Sequence, residues 1–169
     1  MNYASIRTCD IANGDGVRVS LFVSGCTHHC KGCFNEDAQA FDYGQPFTRE
    51  VEDEILEAAA PSHIAGITLL GGEPMEPENQ RALVPFLRRF RERFGETRTL
   101  WMYTGCIWES LAGEKGPYRW RIDVTDEMLS MTDVLVDGPF IEALKDISLK
   151  FRGSSNQRII DIKEGKVLT

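Results

Sequence analysis

VRVSLFVSGCTHHCKGC, residues 17–33, decides how the rest of the chain is read. Val17–Val23 is a β-rich run behind the turn signal NGDG, and it predicts a strand. The next ten residues, SGCTHHCKGC, hold Cys26, Cys30 and Cys33, three of the chain's five cysteines. Two of its three histidines, His28 and His29, lie between them. A strand therefore runs straight into a thiol-rich loop. Two chemistries fit such a loop: a zinc knot that holds a fold together, or an iron–sulfur site.

Working outward, TREVEDEILEAAA (Thr48–Ala60) sets Val51, Ile55 and Ala59 on one helical face. Thr48 serves as N-cap and Pro61 as stop. GITLL (Gly66–Leu70) is a short apolar strand ending in GGEP. PENQRALVPFLRRFRERFG (Pro77–Gly95) repeats Leu83, Leu87, Phe90 and Phe94 at helical spacing, with Gly95 as C-cap and Pro85 as an expected kink. TLWMY (Thr99–Tyr103) and DVLVD (Asp133–Asp137) predict two further strands, and RIIDI (Arg158–Ile162) one more at the C-terminal edge. Short helices are expected near Ile107–Leu111 and Thr125–Met131. No internal repeat, low-complexity segment or linker interrupts residues 1–169, so one domain is expected.

Strands alternating with helices predict an α/β fold with a parallel sheet. In such folds the C-terminal ends of the strands share one rim, where ligands bind. The cysteine loop, GGEP, YTG and DGPF each follow a strand, so all four converge there. A structural zinc knot does not require that convergence; an active site does. A full eight-unit barrel takes about 250 residues. The 169 residues here predict an incomplete, open (β/α) barrel, whose open side suits a large substrate.

Composition narrows the class. The chain is 42% hydrophobic and 27% charged, as in ordinary globular proteins, and its net charge of −7 argues against binding nucleic acid. No apolar run has the roughly 18 residues of a membrane span, and the N-terminus lacks a signal-peptide segment. No membrane partner and a cytoplasmic location are expected. Clustered thiols in odd number point to metal rather than a disulfide framework. Cys9 and Cys106 read as ordinary small apolar residues. A structural zinc would need a fourth ligand from His28, His29, Cys9 or His63. C-x3-C-x2-C also fits an iron–sulfur cubane with one iron left without a protein ligand, since most electron carriers use four cysteines. On that second reading His28 and His29 are solvated or local hydrogen-bonding bystanders.

The triplet followed by GGEP at a strand end resembles the radical S-adenosylmethionine superfamily. The order NGDG, LFVSGC, CKGCFN, GQPFT, GGEP, DVLVDGPF and FRGSSNQR resembles, over nearly the whole chain, the anaerobic ribonucleotide reductase activating proteins. The resemblance implies a barrel of the radical S-adenosylmethionine type and one 4Fe-4S cluster on Cys26, Cys30 and Cys33. It implies that S-adenosylmethionine chelates the open iron and is cleaved reductively to a 5′-deoxyadenosyl radical, at potentials that reach down to about −700 mV in such clusters. No catalytic acid–base pair is then expected beyond cluster and cofactor. Gly71, Gly72 and Glu73 would cradle the methionine amino group. Gly32, Cys33 and Phe34 would meet adenine, although many superfamily members have an aromatic where Gly32 stands. Tyr103, Thr104 and Asp137 sit at strand ends, where they either line the cofactor or serve strand-terminal packing and turn chemistry.

The implied substrate is a glycine residue of the reductase, which becomes a glycyl radical. A low-potential donor such as a flavodoxin is the implied electron source, with Arg88, Arg89, Arg91 and Arg93 as its docking patch or else a solvated helix face. Arg152–Arg158 would meet the cofactor or the glycine loop, or form a plain turn. Two alternatives stay open: a radical enzyme acting on a small molecule such as a deazaguanine precursor, and a non-catalytic zinc-binding interaction domain.

Overall fold

The alternation within VRVSLFV sends its side chains to two faces. Val19, Leu21 and Val23 enter the main apolar core, while Arg18, Ser20 and Phe22 take the other side. That sorting organises the whole molecule, here a computed structural model describing residues 1–169. The elements run β1 (Asn2–Asp10), β2 (Val17–Val23), β3 (Gln45–Pro46), α1 (Arg49–Ala59), β4 (Ile64–Gly71) and α2 (Pro77–Phe94). Then follow β5 (Thr99–Tyr103), α3 (Trp108–Leu111), α4 (Thr125–Ser130), β6 (Val134–Asp137), β7 (Arg158–Asp161) and β8 (Lys166–Val167).

All strands join one open sheet in the order β3-β1-β2-β4-β5-β6-β7-β8. The centre, β2-β4-β5-β6, is parallel, as the βα alternation predicts. The flanks are antiparallel: β1 on β2, β3 on β1, β7 on β6 and β8 on β7. The sheet is thus mixed rather than parallel. The reason lies in the connections. Residues 11–16 between β1 and β2 suit a reversal, whereas a parallel return needs a crossover of a dozen residues or more. β1 has no counterpart in the sequence reading because Ser5, Arg7, Thr8 and Cys9 are exposed and blur its alternation.

One face of the sheet is covered by helices. Ile67, Leu69, Leu100, Met102, Leu135 and Ile160 meet Ile55 and Leu56 of α1, Leu83, Phe86, Leu87 and Phe90 of α2, and Met128 of α4. Thr48 caps α1 by accepting from the Val51 N–H at 3.4 Å. α2 opens on Pro77 and stops at Gly95, whose φ of 54° suits a residue without a side chain. It runs through Pro85 without a break in assignment; the carbonyl that loses its donor belongs to exposed Arg81. No helix is long and apolar enough to cross a membrane.

The other face carries polar groups at its base. Arg18 is 1% exposed, and all five of its N–H groups are used. They donate to Thr68 Oγ1, Thr99 Oγ1 and the carbonyls of Asp15, Ile67 and Thr99 at 2.7–3.0 Å. Its guanidinium also lies over the Trp101 ring. Burial pulls the Arg18 pKa down to about 10.

Candidate functional site

Above this base, the same face opens into a cavity of about 610 Å³. Its walls come from the ends of the four parallel strands. Cys26, Cys30 and Cys33 follow β2, Gly71–Glu73 follow β4, Tyr103–Gly105 follow β5, and Gly138 and Phe140 follow β6. The four loops expected on one rim share one cavity.

The three thiols are free and part-buried. Cys9 is exposed on β1 and Cys106 is buried, and neither lines the cavity. Burial pushes the Cys26 thiol up to about 12, against a hydrogen bond from the His28 backbone. Bound metal reverses that tendency, because a coordinating thiol is deprotonated. The Asn35 N–H donates to Cys33 Sγ at 3.4 Å. The turn closes with the Cys33 N–H on the Cys30 carbonyl, and Gly32 holds the φ of 72° that it needs. The three sulfurs do not form a set whose atoms all lie within 4.8 Å of one another. Bonds of about 2.3 Å to one tetrahedral zinc would set sulfurs roughly 3.8 Å apart. The groups whose ligand atoms do all lie within 4.8 Å are His28, Glu73 and Cys106.

The loop is stitched to the GGEP turn by several hydrogen bonds. The Gly72 N–H donates to the Val23 carbonyl and the Glu73 N–H to the Gly25 carbonyl, at 2.7 and 2.8 Å. Asn79 Nδ2 donates to the carbonyls of Ser24 and Glu73. A Cβ on Gly72 would stand 2.6 Å from the Gly25 oxygen, so the contact requires glycine. Glu76, which the sequence reading passed over, is buried and accepts from the Thr27 N–H and hydroxyl at 2.8 and 2.5 Å. Its only signal in the sequence was its place three residues past Glu73.

Glu73 is 1% exposed and fully engaged. One oxygen accepts the Met75 N–H; the other accepts the Gly105 N–H and meets His28 Nε2 at 2.7 Å. Its carboxylate therefore links three loops at the cavity wall. His28 is no bystander, since its ring also stacks on Trp120 at 4.6 Å. His29 does fit the local reading: it is exposed and bonds Gln39 Oε1 at 2.9 Å.

Phe34 is 64% exposed at the mouth, against Phe140 at 5.1 Å and under the Lys145 ammonium. Thr104 lines the cavity while its hydroxyl accepts the Cys106 N–H. Tyr103 lines it too, and its buried hydroxyl has no partner. Burial raises the Tyr103 pKa. Asp137 does not line the cavity. Its carboxylate accepts from the Trp108 N–H and from Arg158, which also holds Glu109 through two bonds. The rest of RGSSNQR latches the DGPF loop: Asn156 donates to the Pro139 carbonyl and Gln157 to that of Gly138. Arg152, Gly153 and Gln157 still reach the cavity wall.

The arginines of α2 are not a free patch. Arg88 binds Glu127, Arg89 binds Glu52 and Asp53, Arg91 binds Asp133, and Arg93 binds Glu57. Their charges are met by α1, α4 and the start of β6, which leaves little for a docking partner.

Residues 12–160 match the family model described as a 4Fe-4S single cluster domain. The chain is also 38% identical over 161 residues to the anaerobic ribonucleoside-triphosphate reductase-activating protein of Pasteurella multocida (strain Pm70). That match covers 94% of this chain and 96% of the relative. The chain belongs to the family of anaerobic ribonucleoside-triphosphate reductase-activating proteins. Members so named in Escherichia coli (strain K12) and Enterobacteria phage T4 are 39% and 36% identical, covering 93% and 98% of this chain and 96% and 97% of theirs. The family model supports an iron–sulfur cofactor, and thiols such as the three on the cavity wall are the donors such clusters take.

Proposed function

We propose that this chain activates an anaerobic ribonucleoside-triphosphate reductase by generating a glycyl radical on it. The observation that carries the reading is the placement of Cys26, Cys30 and Cys33 on one wall of a cavity that no fourth cysteine enters. In this reading they would hold a 4Fe-4S cluster and leave one iron without a protein ligand. The cysteine loop and Gly71–Glu73 would hold S-adenosylmethionine between them. When bound, cluster and S-adenosylmethionine together supply reductive sulfonium cleavage and, from it, hydrogen-atom abstraction.

The chain's own residues bind, orient and shield. Gly71, Gly72 and Glu73 line the cavity and would cradle the methionine amino group, the Glu73 carboxylate being oriented by its bonds to neighbouring loops. Gly32, Cys33 and the exposed ring of Phe34 offer a surface for adenine beside Phe140. Thr104 borders the same space. The sheet, open at both ends, is read as an incomplete barrel of the radical S-adenosylmethionine type formed by the whole chain. Its open side admits a loop, and glycine enters most readily because it has no side chain. The radical left on its Cα is stabilised by both flanking amides. The electron donor is a low-potential protein such as a flavodoxin, docked elsewhere than on the paired arginines of α2.

The test is anaerobic reconstitution with iron and sulfide, then incubation with reductant, S-adenosylmethionine and the reductase. A glycyl radical and 5′-deoxyadenosine are expected, and neither from Cys30→Ala. Stoichiometric zinc in chain prepared without oxygen, with no cluster on reconstitution, would overturn the reading.

A further inference from the structure

The pairing of His28 with Glu73 goes beyond holding a metal or filling a core. His28 stands midway between Cys26 and Cys30, and its side chain leaves the cysteine loop to reach the turn after β4. Glu73 Oε1 and Oε2 already accept the backbone N–H groups of Met75 and Gly105 at 2.8 Å each. A carboxylate so placed is an acceptor, so His28 Nε2 carries the hydrogen and donates it at 2.7 Å. Trp120 fixes the imidazole plane by stacking at 4.6 Å with 22° between rings. Gly105 makes room: a Cβ there would lie 2.7 Å from His28 Cδ2. One imidazole thus ties together three loops, those that follow β2, β4 and β5.

We propose that His28 is a positioning residue that makes the cysteine loop and the Gly71–Glu73 turn one mechanical unit, so that cluster ligation and S-adenosylmethionine binding are coupled through the His28–Glu73 hydrogen bond. The inference rests on the cofactor reading given above. It adds that the residue between the first two cysteines governs how the cluster senses the second cofactor. Cys106 Sγ lies 3.8 Å from His28 Nε2 and completes a set that a divalent ion could use. The direct 2.7 Å contact already satisfies His28 and Glu73 without one.

The experiment separates the hydrogen bond from the stack, on full-length chain carrying a reconstituted cluster. His28→Phe keeps a ring for Trp120 and removes the donor; His28→Gln keeps a donor at the Nε2 position and removes the ring. Two readouts are taken besides activity: the midpoint potential of the cluster, and the S-adenosylmethionine concentration that half-converts its paramagnetic resonance signal. His28→Phe is expected to hold a full complement of iron, to shift the potential, and to need about tenfold or more S-adenosylmethionine. His28→Gln is expected to return within about threefold of the unmodified chain. A His28→Phe chain with unchanged half-point and potential would overturn the proposal. Should His28→Phe fail to hold iron, His28→Gln and Glu73→Gln decide. A near-normal response from the first with a weakened one from the second supports the coupling, and equal responses overturn it. Tightly held zinc that is lost in Cys106→Ser would overturn it too, by making the trio a metal site. An unmodified chain whose cluster never responds to S-adenosylmethionine would instead sink the underlying cofactor reading.

Discussion

The two faces of the sheet are built on opposite rules. On the helix side, contact is apolar and nearly anonymous: Leu69, Phe86, Leu87 and Phe90 pack together with no polar bond deciding their neighbours. On the cavity side, position is set by named partners: Arg18 with Thr68 and Thr99, Glu73 with His28, Asp137 with Arg158. The first face stabilises the fold by burial. The second holds loops at fixed places around a space, which is what bound cofactors require. The difference predicts that damage to the helix side lowers stability and leaves the cavity's geometry as it is, while damage to the cavity side disturbs that geometry as well as stability.

The largest effect is expected on the helix side. Phe90→Ala leaves a cavity in the core and should cost about 3–5 kcal/mol in denaturant unfolding, because Phe90 is fully buried. Below the unfolding transition, its cluster signal should match that of the unmodified chain. A changed signal at full folding would break the separation of the faces. Arg18→Leu comes next. It strips donors from two threonine hydroxyls and three carbonyls, and should cost about 2 kcal/mol or more.

A pH effect is expected from Arg158. Its side chain holds the Glu109 carboxyl down at about 2, below the ordinary 4.5. A lowered folded-state pKa contributes stability that is complete above about 4.5 and is lost as pH falls toward about 2. The stability difference between the unmodified chain and Arg158→Gln should therefore shrink across that window. A constant difference from pH 6 to pH 2 would contradict the pairing. Glu109 is 35% exposed, so solvent screening keeps the effect modest. Smallest is Arg93→Ala, which removes one surface pair with Glu57 and should cost under about 0.5 kcal/mol. It should leave the rate of cluster reduction unchanged. A slowed, salt-dependent reduction would restore α2 as a docking face.

The same contrast explains what could be read in the sequence. Strands β2, β4, β5 and β6 and helices α1 and α2 were legible because apolar spacing alone identifies the helix side. The convergence of the cysteine loop, GGEP, YTG and DGPF followed from strand ends sharing a rim. Polar positions were harder. Arg18 sits in a strand that reads as apolar, and its burial depends on acceptors 50 and 81 residues away. Glu73 lines the cavity, and its orientation there depends on His28 and Gly105, neither near in sequence. Asp137 turned from the cavity to Arg158 for the same reason. β1 escaped notice because half of it faces solvent, and with it the antiparallel flank of the sheet.

The central claim is that Cys26, Cys30 and Cys33 hold a cluster with one iron open to the cavity. Electron paramagnetic resonance of the reconstituted, reduced chain tests it most directly, before and after addition of S-adenosylmethionine. A 4Fe-4S signal is expected that changes on addition and is absent from Cys26→Ala, Cys30→Ala and Cys33→Ala, with Cys9→Ser and Cys106→Ser unaffected. A cluster signal that S-adenosylmethionine leaves unchanged, or one that needs Cys9 or Cys106 as a fourth ligand, would contradict it.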